Sequence, residues 1–149
     1  MRHGFRMSVG AEPGGVEKVN AALADFAETY SLPEAVRRSV NVAVDELLAN
    51  VVSHGTGRLA ACSVTVDGTL DQDRLTVTLT DDGPPFDPFS QAAPDTTLSV
   101  EDRPIGGLGI HLVRELMDEF SYERKDGHNV VVLVKAVGPG KGKNFSGAS

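Results

Sequence analysis

Between Leu32-Pro33 and His54-Gly55, apolar residues return at Val36, Val40, Val44, Leu47, Leu48 and Val51, the three-and-four spacing of one helix face. Pro33 suits a first helical position and Gly55 suits a stop, so this segment is expected as one long amphipathic helix. A helix with a single apolar stripe must bury that stripe against another element. The rest of the chain supplies the partners.

Val16, Val19, Leu23, Phe26 and Ala27 form a shorter stripe after Pro13 and Gly14-Gly15, ending near Tyr30. A third stripe, Ile110, Val113, Leu116, Met117 and Phe120, opens directly behind Gly106-Gly107-Leu108-Gly109. Strands are expected at 5–9, 59–66, 74–80, 120–124 and 130–137, where β-branched residues concentrate and alternate. Gly68 with 71–73 is expected to turn the middle pair, and Asp126-Gly127-His128-Asn129 the last pair. The order of elements predicts an α+β, two-layer α/β sandwich: a mostly antiparallel mixed sheet of about five strands, with three helices on one face.

Residues 5–137 form one domain in this reading, and the small, polar stretch 138–149 is expected to be a disordered tail. Residues 81–103 carry Pro84, Pro85, Pro88 and Pro94 among Asp, Ser, Gln and Thr, too long a stretch for an idle connection. A functional loop or lid is expected there, at about 86–103.

Bulk properties remove several classes of function. A net charge of -7 offers no basic footprint for nucleic acid. No apolar run approaches the roughly 18 residues of a membrane span, and no apolar stretch follows the charged start as it would in a secretory signal. Cys62 is the single cysteine, so an intrachain disulfide is impossible and a reducing cytoplasm is the expected home. Nor is there a Gly-x-Ser-x-Gly elbow or a His/Cys set with zinc spacing.

Three features could carry chemistry. At about 100° per residue, Glu46, Asn50 and His54 share one side of the long helix, away from its apolar stripe. The ordinary reading is a solvated face; the functional one is that Asn50 offers an oxygen to a hard cation such as Mg²⁺ while Glu46 orients or deprotonates a nucleophile. Asp81-Asp82-Gly83-Pro84-Pro85-Phe86 follows a strand directly. That is ordinary turn chemistry, or a strand-end carboxylate placed to accept a hydrogen bond from the exocyclic amine of adenine. Gly106-Gly107-Leu108-Gly109 either starts a helix or brings bare backbone and a helix N-terminus up to phosphates.

Taken together and in this order, Glu46-Leu47-Leu48-Ala49-Asn50-Val51-Val52-Ser53-His54, Asp81-x-Gly83 and Gly106-Gly107-Leu108-Gly109-Ile110 resemble the asparagine box and the two glycine boxes of the GHKL ATPases. The stretch 106–119, with Leu112-Val113-Arg114 and Leu116-Met117-Asp118-Glu119, is similar to the anti-sigma-factor serine kinase branch in particular. The resemblance implies the Bergerat ATP-binding fold, with ATP and Mg²⁺ as cofactors. It implies Glu46 as the catalytic base and Asn50 as the metal ligand. The nucleotide would be held by Asn50, His54, Asp81, Gly83, Phe86, Arg103, Gly106, Gly107, Leu108, Gly109 and Ile110. Pro85 stands where many GHKL members carry a second glycine, and Arg103 rather than a lysine is the cation of the loop. The implied function is an anti-sigma regulator that phosphorylates a serine of an anti-sigma-factor antagonist and sequesters a sigma factor, with a homodimer as a further implied assembly. The alternative is a nucleotide-gated adaptor that binds regulatory partners without phosphorylating them.

Overall fold

The structure, a computed structural model, describes residues 2–9, 15–54, 63–90 and 107–137, except the side chains of residues 2, 52–54, 107 and 108. The alternating segments pair as β1 (Arg2–Val9), β2 (Val64–Asp71), β3 (Arg74–Asp81), β4 (Glu119–Lys125) and β5 (His128–Ala136). They form one sheet in the order β1-β2-β3-β5-β4. Helices α1 (Gly15–Thr29), α2 (Glu34–His54) and α3 (Gly107–Leu116) accompany it, with a short 3-10 helix at Pro88–Ser90. Five strands and three helices match the expected architecture. All four described pairings are antiparallel, however, so no parallel pair makes the sheet mixed among these residues. Two-residue connections such as those closing β2-β3 and β4-β5 join only antiparallel strands.

Register explains why the helices cover one face. Pairing of Val66 with Leu79 and of Leu79 with Val131, then of Val77 with Leu133, lines up one apolar face across the three central strands. Val19, Leu23 and Phe26 of α1, Val40, Val44, Leu47 and Leu48 of α2, and Ile110 and Val113 of α3 pack on it as one core. Leu48 and Val113 are wholly buried. Cutting Leu48 to alanine removes transfer energy and leaves a cavity, a cost of roughly 2–5 kcal/mol.

Gly68 corrects the expected strand boundaries. Instead of turning the chain, it lies in mid-strand opposite Phe5, and a Cβ there would run into the Phe5 ring. The notch lets Phe5 reach Phe26 of α1, with ring centroids 5.1 Å apart. The turn falls at Gln72-Asp73, with Gln72 in the left-handed region at φ 59°. Likewise the last hairpin turns on Asp126 and Gly127 alone, at φ 54° and 80°, the signs required by a two-residue type I′ turn. Asn129 therefore belongs to β5 and not to the loop.

Helix α3 also differs from its expected span: it ends at Leu116, where Lys135 Nζ donates to the Leu116 carbonyl at 2.7 Å. Asp118 N donates to Val134 O at 2.9 Å, which starts β4 early. Phe120 consequently lies on β4, 37% exposed, with its ring 4.7 Å from that of Phe89. The expected lid falls mostly outside the described residues, as do the expected tail and Cys62. Among the described residues, no helix is long and apolar enough to cross a membrane.

Candidate functional site

Along β3, the inward positions run Leu75, Val77, Leu79 and then Asp81, so the buried face ends in a carboxylate. Asp81 is only 9% exposed. Burying a carboxylate is costly unless donors meet it, and two do: Gly83 N at 2.9 Å and Asn129 Nδ2 at 3.0 Å, both on Oδ1. Its neighbour Asp82 faces outward and accepts from Ser63 N at 2.9 Å.

The chain then runs as a strap across the end of the sheet. Gly83 O accepts from Arg124 Nη1 at 2.8 Å, and Pro84 O from Asn129 Nδ2 at 2.8 Å. Phe86 N donates to Asn129 Oδ1 at 3.2 Å, and Arg114 donates to Phe89 O. Under this strap lies an open-mouthed cleft. Leu47 and Val51 of α2 and Leu79 and Val131 of the sheet form its apolar walls. Asn50, Asp81 and Asn129 supply the polar groups, and Gly83, Pro84 and Phe86 the strap side.

Asn50 is not on a solvated face: it is 6% exposed, and its Nδ2 is buried without a hydrogen-bond partner. An orphaned buried N–H donor is costly, and a half-turn about the terminal bond of the amide puts the oxygen where the nitrogen lies. One turn earlier, half-buried Glu46 reaches the first turn of α3. A Cβ on Gly109 would collide with the Glu46 carboxyl group. The partial positive charge of that helix end favours a carboxylate beside it. No group of three or more His, Cys, Asp or Glu suited to a metal occurs among the described residues.

The cleft thus brings together Asn50, Asp81, Gly83 and Phe86 of the expected set, while Glu46 meets Gly109 beside it. Ile110 sends its side chain into the core, 2% exposed, which leaves only its backbone to face a ligand. Arg103, Gly106 and the side chains of His54 and Leu108 lie outside the described residues, and Gly107 is described only as the first residue of α3.

Asn129, Tyr122 and Arg124 were not anticipated. The signal for Asn129 was its place in the alternation Asn129, Val131, Leu133, a polar residue at an inward position. A second polar seam lies between α1 and α2. Asn41 Nδ2 donates to Asp45 Oδ2 at 3.3 Å, while the Oδ1 atoms of Asn20 and Asp45 are buried without partners. Burial raises the Asp45 carboxyl above its ordinary range, the Asn20 hydrogen bond opposes this, and the Glu17 charge adds to it.

A strand-end carboxylate and a buried asparagine on the covering helix share this cleft, and one turn from that asparagine Glu46 meets the first turn of α3, a layout that fits a nucleotide-binding ATPase class. Residues 9–135 match the histidine kinase-like ATPase domain family. The chain belongs to that family. Within it, the chain is 32% identical over 106 residues to the serine/threonine-protein kinase BtrW of Bordetella bronchiseptica, covering 70% of this chain and 73% of the relative. It is 25% identical over 96 residues to the anti-sigma F factor of Clostridium beijerinckii, covering 64% of this chain and 67% of that one. The solved RsbU and RsbW domains of a Mycobacterium tuberculosis protein share the fold, with a TM-score of 0.65 at 14% identity over 91% of this chain and 32% of the longer one.

Proposed function

We propose that this chain is an ATP-dependent protein serine kinase that acts as an anti-sigma factor, phosphorylating an antagonist protein and holding a sigma factor by partner switching. The observation that carries the reading is the cleft itself, which Asp81 and Asn50, with its buried, unpartnered Nδ2, both line while Glu46, one turn from Asn50, meets the first turn of α3. Relatives named as a serine/threonine-protein kinase and an anti-sigma factor support it.

In this reading Asp81 accepts the adenine amine and the α3 turn at Gly107 to Gly109 faces the phosphates. Asn50 fits a hard cation, since Mg²⁺ takes one or two protein oxygens and completes its shell with phosphates and water. When bound, Mg²⁺ neutralises charge building on the phosphates. Glu46 takes the proton of the incoming serine hydroxyl. The serine oxygen bonds to the γ-phosphorus as the bond to the bridging oxygen breaks, and ADP leaves with its electron pair. Catalysis here is positioning and electrostatics.

The product explains the switch. A phosphoserine adds about -1.5 to -2 charges, and this chain already carries a net charge of -7. The phosphorylated antagonist is repelled and the sigma factor is retained; an unphosphorylated antagonist competes for the same kinase. The reading includes action in the cytoplasm and a homodimer.

Incubation with labelled ATP and candidate antagonists tests the proposal. Label is expected on an antagonist serine with the wild type and not with Glu46→Ala. No transfer by either protein would instead leave a nucleotide-gated adaptor.

A further inference from the structure

The amide of Asn129 is buried, 5% exposed, and every hydrogen-bonding position it has is in use. Its two N–H groups go to Asp81 Oδ1 at 3.0 Å and Pro84 O at 2.8 Å. Its oxygen takes Phe86 N at 3.2 Å and the Tyr122 hydroxyl at 2.6 Å. An asparagine amide offers two donors and one oxygen with two lone pairs, so the set is complete. The opposite orientation would set the amide oxygen against a carboxylate and a carbonyl, and the NH₂ against the Phe86 N–H. One orientation survives, and it points the donors at Asp81.

Two consequences reach the cleft. With Gly83 N and Asn129 Nδ2 both on Oδ1, the other oxygen of Asp81 takes no hydrogen bond among the described residues. Nor has Asn129 a spare donor for an oxygen on an incoming base. A purine with an amine at position 6 finds an acceptor; one with a carbonyl there finds a repelling carboxylate and no donor. Moreover, a single side chain joins β5 to the carboxylate and to two backbone groups of the strap, 45 and 43 positions away in sequence.

We propose that Asn129 is a positioning residue for nucleotide recognition: it dictates which oxygen of Asp81 meets the base and ties that carboxylate to the Gly83–Phe86 strap, with Tyr122 locking its orientation. This rests on the reading of the cleft as an ATP site.

The test measures ATP and GTP affinity by calorimetry across pH for the wild type, Asn129→Asp, Asn129→Ala and Tyr122→Phe. In Asn129→Asp two carboxyl groups face each other, and such a pair shares a proton. At low pH the protonated member donates to its neighbour and ATP binds. As pH rises and both ionise, they repel, and ATP affinity is expected to fall about tenfold or more relative to the wild type at the same pH, the size of a lost hydrogen bond to a charged group. Asn129→Ala is expected to lose most of the ATP-over-GTP preference at every pH. Tyr122→Phe, which removes one hydroxyl from a half-buried ring, is expected to raise KM for ATP severalfold with kcat unchanged, so the test stands even if Asn129→Ala fails to fold. Wild-type ATP affinity and an unaltered pH profile in Asn129→Asp, or an unchanged KM in Tyr122→Phe, would overturn the role of Asn129 alone. If the wild type binds neither nucleotide, the ATP reading falls and this inference with it.

Discussion

The carboxylate of Glu46 on α2 lies against the backbone of Gly109 in the first turn of α3, in the space a side chain at 109 would fill. Among the described glycines only Gly127 has a positive φ, so Gly109 is required by a close approach and not by an unusual backbone conformation. Gly109→Ala should therefore push the carboxylate aside while leaving the helix intact. A misplacement of about 1 Å costs on the order of 10²-fold in rate. We expect single-turnover transfer to drop by about that factor, with ATP affinity changed far less. Equal losses in rate and affinity would show that Gly109 serves the nucleotide and not Glu46.

Asn50 is buried with its Nδ2 unpartnered, in a wall of the cleft otherwise apolar on the α2 side. Asn50→Ala deletes the amide that fits the cation. Calorimetry with and without Mg²⁺ should show the metal-dependent part of ATP binding abolished, with the metal-independent part retained. Undiminished dependence on Mg²⁺ would remove Asn50 as the ligand.

Asp81 faces Asn129 across the β3–β5 pairing, and its Oδ1 is already engaged. Asp81→Asn replaces the free acceptor with a group that can turn a donor outward. The ATP-over-GTP preference should fall about tenfold or more, the size of a hydrogen bond to a charged group. A preference that persists would discard the adenine assignment.

Periodicity carried most of the architecture: the stripes of α1 and α2 were readable because each is a local repeat with breakers at its ends. What local pattern could not convey was contact at a distance. Gly68 carries the same local signal whether it turns a chain or admits a ring, and only Phe5, far earlier in the chain, decides between them. Asn129 follows an Asp-Gly turn and so looked like part of it, although its partner Asp81 lies 48 positions away. Asn50 shares a helix side with Glu46, which resembled a solvated face until the strap and sheet closed over it. The family motifs mark elements that meet only after folding, and the cleft brings Asn50, Asp81 and Gly83 together from two of them.

The seam between α1 and α2 yields a prediction about stability. The Asp45 carboxyl is pushed above its ordinary range by burial first, with the Asn20 hydrogen bond working against it and the Glu17 charge with it. The folded state thus binds a proton at Asp45 more tightly than the unfolded chain does. Linkage then requires that the stabilisation be fully present below the ordinary carboxyl pKa and be lost as pH rises through the folded-state value. Asn20 and Asp45 each keep a buried Oδ1 without a partner, and a proton on Asp45 offers a donor between them. Asp45→Asn carries no charge at any pH, so it escapes the loss. It should melt higher than the wild type near neutral pH. The gap should close as pH falls below the ordinary carboxyl range, where the folded and unfolded chains both hold the proton. Thermal melts of the two proteins at several pH values measure this difference. A gap that stays constant with pH would mean that packing, and not the charge on Asp45, separates them.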